Sequence, residues 1–176
     1  MNPIHTSRLV LLPLTPDQLR NIVLHPEALQ HSLGLSTKTF RLSADDSFMK
    51  MFDEAVLSFI IPQTEIYPHE AQWFTHWLII DREQNERVGG IGAGGSPADS
   101  GTTQIGYFVS ASAENNGVAS EAVAVFTEHL FSDPRLTQIN AFTLPEGKAS
   151  QRVLEKNGFV FESSADVEMK WTLKRK

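Results

Sequence analysis

The chain has 176 residues, enough for one domain with a single core, and its hydrophobic (41%) and charged (20%) fractions are those of a globular rather than a disordered protein. A net charge of −6 argues against general nucleic-acid binding, which needs a positive field, and suits a cationic partner such as an amine. Cysteine is absent, which removes disulfides, thiolate metal sites and cysteine nucleophiles together.

Residues 8–14 read as a strand, and Thr15-Pro16-Asp17-Gln18 then opens a helix. Threonine caps it, proline suits the first helical position, and Gln18 completes a capping box. That helix is predicted to end near His25-Pro26. A second is predicted to begin near Ser43, with Asp45 and Asp46 in its first turn, where negative charge is favoured. Phe48, Met51, Phe52, Ala55 and Phe59 recur at helical spacing and are assigned to its core face, with Pro62 as the stop.

Residues 73–80, 87–92 and 102–109 read as three strands of an antiparallel meander. Seven of the 11 glycines fall between Gly89 and Gly106, a density that points to a bulge or to close backbone approach. Gly89-Gly90-Ile91-Gly92 opens no helix, so a dinucleotide loop is rejected there. A helix follows from Val118 with Val118, Ala119, Ala122, Val123, Phe126 and Leu130 along one face, ending at Asp133-Pro134. Residues 136–144 form a strand, 149–157 a short helix stopped by Gly158, and two further strands start near Phe159 and Glu168. No linker, repeat or low-complexity tract divides residues 1–176, so a single domain is expected. No apolar run approaches the roughly 20 residues a membrane span needs. Residues 1–5 lack a signal-peptide pattern, and a cytoplasmic location with no membrane partner is the expectation.

The passage that carries chemistry joins the strand Gln104-Ile105-Gly106-Tyr107-Phe108-Val109 to the helix through Glu114-Asn115-Asn116-Gly117-Val118-Ala119-Ser120. A helix start leaves backbone N–H groups unpaired and carries partial positive charge, so it receives a phosphate or pyrophosphate without a lysine. Glycine at Gly117 would let a ligand approach the backbone closely. An ordinary strand-to-helix turn fits the same spacing.

Together with Gly147-x-x-Ser150-x-x-x-Leu154-x-x-x-Gly158-Phe159 and the opening Thr6-x-Arg8-Leu9-x-Leu11-x-Pro13-Leu14, this passage resembles the GNAT acetyltransferases. Within them it is most similar to the branch of ribosomal-protein N-terminal (alanine/serine) acetyltransferases. The resemblance runs from about Thr6 to about Leu173. It implies a mixed α/β fold: a central sheet with an antiparallel N-terminal meander, a parallel strand–helix–strand crossover, and helices on both faces. It implies acetyl-CoA as cosubstrate, no metal, and direct acetyl transfer to a primary amine, either a peptide N-terminus or a small molecule. Phe108, Val109 and Ser110 would pair with the pantetheine arm, and the amides of Asn115, Asn116, Gly117, Val118, Ala119 and Ser120 would take the pyrophosphate. Ser150 would assist the leaving thiolate as the catalytic residue; structural capping of the helix is its alternative role. A homodimer is also open, since dimers occur in the branch.

Three positions depart from the family pattern. Glu114 stands where Gln or Arg is usual, Gly147 where Asn is usual, and Gln104 where a basic glutamate is often found. His69, Glu70 and His76 are substitute candidates for the base, beside their reading as surface or packing residues. The departures motivate an alternative: a catalytically degenerate GNAT-fold module that binds acyl-CoA or regulates. A nucleotide-binding α/β domain of another kind has no lysine-bearing loop to support it. His5, His25, His31 and His129 show no metal-ligand spacing. Residues 31–42 and 62–72 are the expected determinants of acceptor choice.

Overall fold

A computed structural model describes all residues except Thr37, Thr39, Ala44, Asp45 and Asp166, and the side chain of Asp46. The acidic first turn expected at Asp45 and Asp46 therefore lies outside the described residues.

Eight strands form one sheet in the order β1-β2-β3-β4-β5-β6-β8-β7. They are β1 (Ile4–His5), β2 (Leu9–Pro13), β3 (His76–Asp81), β4 (Glu86–Ala93), β5 (Thr102–Val109), β6 (Gln138–Thr143), β7 (Val160–Ala165) and β8 (Glu168–Lys174). Every pairing is antiparallel except β5–β6, which is parallel and is bridged by helix α5 (Val118–Phe131). This is the expected mixed sheet, with its meander and single crossover.

The capping box at Thr15 forms as read: the threonine hydroxyl accepts from the Gln18 amide and the Gln18 side chain accepts from the Thr15 amide, opening α1 (Pro16–Leu24). His25-Pro26 ends α1 but immediately starts α2 (Pro26–Ser32), because proline at the first turn forfeits no bond. Pro62 does not stop its helix either, although Ile60 and Ile61 before it are already right-handed helical. Helix α3 (Asp46–Ala55) runs through a π turn (Val56–Ile60) into α4 (Ile61–Ile66), with Pro62 in the first turn of α4. The assigned core face of this helix is also corrected. Phe48 and Phe52 are half-buried and Val56 is fully buried, a stripe at i, i+4, i+8, whereas Met51, Ala55 and Phe59 lie one position round the helix in solvent. Trp73 closes a 3-10 turn (Pro68–Trp73) rather than opening the third strand, which starts at His76.

Two apolar layers hold helices to the sheet. On one face α5 packs Val118, Ala122, Val123, Phe126 and Leu130 against Trp77, Ile79, Ile91 and Ile105, with Leu154 of helix α6 (Lys148–Lys156) beside them. On the other, α1, α2 and the α3–α4 helix bury Leu19, Ile22, Leu29, Val56 and Ile61 against Leu78 and Ile80. No helix among the described residues is long and apolar enough to cross a membrane.

Candidate active site

The site begins where two strands part. β5 and β6 pair only from Thr102↔Gln138 to Ile105↔Ala141. Beyond Ile105 the strand is held on its other edge alone, by β4, through Gly89↔Val109. From Gly106 to Val109, then, the edge of β5 that faced β6 has no strand partner among the described residues.

The chain leaves β5 through a 3-10 turn (Ala111–Ala113) and reaches α5 with Asn115 and Gly117 both in the left-handed region, at φ 59° and 76°. Gly117 is the N-cap, with no side-chain hydrogen bond. A Cβ there would meet only Arg8 Nη2 at 3.6 Å, ordinary contact, so glycine serves this backbone conformation rather than clearance. Among the described residues, the amides of residues 115–120 donate to no protein acceptor; the first main-chain bond runs from Glu121 N to Gly117 O. These are the orphan donors of a helix start.

Arg8 and Glu121 hold the loop from behind. Arg8 Nε lies 2.9 Å from Glu121 Oε2, Arg8 Nη1 donates to the Asn116 carbonyl at 3.2 Å, and the Thr6 hydroxyl donates to Glu121 Oε1 at 2.5 Å. Burial opposes ionisation of Glu121, yet the bonds from Thr6 and Arg8 outweigh it and hold its carboxyl below the usual range. The carboxylate in the first turn of α5 is thereby turned away from the groove and spent on the clasp.

A groove of about 470 Å3 opens between this loop, the end of β5 and α6. That is within the usual range for a ligand site. Phe108 and Val109 line it from the strand, and Asn115, Gly117, Val118, Ala119 and Ser120 from the loop and helix start. Ser150 lines it from α6. Ser110 and Asn116 do not. The Ser110 amide donates to the Val88 carbonyl and its buried hydroxyl lies 3.0 Å from Ser112 Oγ. Asn116 turns its carbonyl to Arg8 and its side-chain amide to the Ser112 carbonyl.

Two features of the groove were not found by reading the sequence. Arg152 and Lys156, one turn apart on α6, line it opposite the loop; both are exposed and neither makes an ion pair among the described residues. Their i, i+4 spacing was legible, but not that the stripe Ala149–Val153–Lys156 would face the loop. The second is Tyr107. Its hydroxyl lies 2.9 Å from Ser150 Oγ and 3.1 Å from the Ser150 carbonyl oxygen. Burial pushes the phenol up to about 12 against the opposing bond with Ser150, so it stays protonated.

Glu114 is exposed and lines the groove, facing the same space as Arg152 and Lys156. Gly147 is the N-cap of α6 and offers no side-chain bond. Neither His69, Glu70 nor His76 lines the groove. Glu70 is held below its usual range by hydrogen bonds from Arg135, against the effect of burial, and Ser96 adds a third bond. His76 is sealed between Phe52 and Phe108, and burial followed by the nearby Arg87 cation lowers it to about 3. It is neutral, and its Nε2 has no partner.

On the face of β5 opposite Tyr107, the sheet is bare at Gly106 but not at Gly92, where a Cβ would meet the Thr75 carbonyl oxygen at 3.3 Å. Gly92 and Gly106 are register partners, and a Cβ on Gly106 would meet nothing within 4 Å. Gln104 and Phe108 flank Gly106 on that face by strand alternation. No group of three or more His, Cys, Asp or Glu able to hold a metal occurs among the described residues.

The whole fold has close counterparts among solved structures. A ribosomal-protein-S5-alanine acetyltransferase from Vibrio fischeri superposes with a TM-score of 0.69 over 99% of this chain and 97% of that one, at 15% identity. RimL, a ribosomal L7/L12 alpha-N-protein acetyltransferase solved in complex with coenzyme A, gives 0.66 over 98% of both chains at 16% identity. These likenesses establish the fold. The family model described as the acetyltransferase (GNAT) domain matches residues 8–160, and the chain belongs to that family. The uncharacterized N-acetyltransferase YjdG of Bacillus subtilis (strain 168) is 29% identical over 98 residues, covering 56% of this chain and 58% of YjdG. The match thus spans little more than half of that relative's length.

Proposed function

We propose that the protein is an N-acetyltransferase that moves an acetyl group from acetyl-CoA to a primary amine. The observation that carries this reading is the set of unpaired amides at residues 115–120, beside a groove that continues along the free edge of β5 to Ser150. The residues present fit the carrier: the amides and the α5 dipole suit a pyrophosphate, Arg152 and Lys156 suit its phosphates, and the unpaired edge of Gly106–Val109 suits an amide-bearing arm. Bound acetyl-CoA supplies the activated acyl group as a thioester. Ser110 leaves the set of cofactor contacts, because its amide and hydroxyl already have partners, and Asn116 keeps only its main-chain amide in it. Arg152 and Lys156 enter it and offset Glu114.

The acceptor would come over the bare strand at Gly106, where a main chain can lie close to the sheet. That favours a peptide N-terminus, the kind of acceptor named for RimL, an alpha-N-protein acetyltransferase, and such an acceptor would place the enzyme in the cytoplasm. No carboxylate lies at Gln104 to take the amine's proton. The amine must then arrive neutral. With an α-amino pKa near 7.7–8.0, kcat/KM for a peptide acceptor should rise about tenfold per pH unit up to roughly pH 7.5 and level off above 8. Gln104→Glu should move that break downward. A profile with its break near pH 6 in the unaltered protein would show a base on the enzyme instead.

The second reading, a degenerate acyl-CoA-binding module, draws on Gln104, Gly147 and Glu114. Free-thiol release measured across amines and N-terminal peptides separates the two. Turnover retires the module, and binding without turnover retires the enzyme.

A further inference from the structure

We propose that Tyr107 is a positioning residue for Ser150: its hydroxyl turns the serine proton into the groove, where it hydrogen-bonds the departing sulfur, so that the leaving group departs as a thiolate anion. The proposal rests on the acetyltransferase reading above and goes beyond it in assigning what the two hydroxyls do.

The argument is a count of protons. Tyr107 reaches across from β5 to the first turn of α6, with Ser150 Oγ at 2.9 Å and the Ser150 carbonyl oxygen at 3.1 Å. The carbonyl can only accept, and the phenol has one proton. If that proton goes to the carbonyl, the serine proton must fill the gap between the two hydroxyls and is parked on Tyr107. If it goes to Ser150 Oγ, the serine proton is released toward the groove that both side chains line. The two arrangements differ by rotation of two O–H bonds. Negative charge growing on sulfur favours the second, since a charge-assisted hydrogen bond is about twice as strong as a neutral one. The start of α6, where Ser150 sits, adds partial positive charge at the same place.

Neither hydroxyl gives its proton away. Burial holds the phenol near 12, while an ordinary thiol ionises near 8.5, so transfer from Tyr107 to the thiolate runs uphill by more than about a thousandfold. A serine hydroxyl is a weaker acid still. The steps balance without it. The amine lone pair forms the C–N bond at the acyl carbon, and the carbonyl pair moves to oxygen. As the carbonyl re-forms, the C–S bond breaks with its pair on sulfur. The new ammonium loses its proton to water, and the thiolate takes one from water after release.

The test is a double-mutant cycle on kcat, with acetyl-CoA affinity measured alongside by calorimetry. Tyr107→Phe and Ser150→Ala should each lower kcat by about 10- to 100-fold, leaving cofactor affinity within about twofold. The double variant should be no slower than Ser150→Ala within about twofold, because Tyr107 acts only through Ser150. In the unaltered protein kcat should stay flat between pH 8.5 and 10, since no donor titrates there. Full kcat in either single variant, penalties that multiply in the double, or a descending alkaline limb abolished by Tyr107→Phe would each overturn the proposal. Loss of fold is read separately from thermal melts. Failure of the unaltered protein to bind acetyl-CoA would instead defeat the functional reading on which this one rests.

Discussion

Gly89→Ala should lower the unfolding free energy by about 3 kcal/mol, which for a domain of this length is a drop in melting temperature of roughly 6–12 °C. A Cβ at Gly89 would lie 2.4 Å from the Phe108 carbonyl oxygen and 3.2 Å from the Val109 Cα. Both obstacles are backbone, so no side chain can rotate away. β4 and β5 must move apart at the Gly89↔Val109 pair, at the end of β5 that carries the groove-lining Tyr107, Phe108 and Val109. Cofactor affinity should therefore fall in the surviving folded fraction as well. Gly106→Ala, on β5 opposite Gly92 in the same pair of strands, is the contrasting case. Its Cβ would enter open space, so melting should change little while the KM for the acceptor rises. Equal destabilisation by the two substitutions, followed by thermal melts, would contradict this account of the glycine-rich strands.

The second large effect is on binding. Arg152→Ala combined with Lys156→Ala should weaken acetyl-CoA by about 3 kcal/mol, roughly 100-fold, on the scale of two lost charge-assisted hydrogen bonds. Stability should be unaffected, because both side chains are exposed and unpaired among the described residues. The loss should shrink at high salt, as expected for cations meeting phosphate in a solvent-open groove. Calorimetry at two ionic strengths measures it. A double variant that binds as tightly as the parent would place the phosphates elsewhere.

The fold was legible wherever one local rule acted alone. The box at Thr15, the meander of β3 to β5 and the glycine-started helix at Val118 each carry a strong short-range signal, and each formed. Reading failed where two rules met. Proline breaks a helix from within but begins one at its first turn, as at Pro26, and at Pro62 the helix runs on through a π turn; spacing does not say which applies. In the α3–α4 helix the apolar residues occupy two adjacent stripes. Only packing against Phe108 and the sheet decides that Phe48, Phe52 and Val56 turn inward while Met51 and Phe59 face water.

The groove was readable to a similar depth. Its loop and strand were visible as a motif, because a helix start after a strand end has a fixed geometry. Ser110 and the Asn116 side chain were indistinguishable in sequence from their neighbours; bonds to Ser112 nearby and to Val88 and Arg8 far off in the chain turn them from the groove. The bridge from Tyr107 to Ser150 joins residues 43 positions apart, and no local pattern encodes it.

The most direct measurement is a calorimetric titration of the unaltered protein with acetyl-CoA, paired with a thermal melt at saturating ligand. The account predicts one site per chain and a stabilisation of about 2.7 kcal/mol at a hundredfold excess over the dissociation constant. No heat and no shift in melting at near-millimolar acetyl-CoA would contradict it.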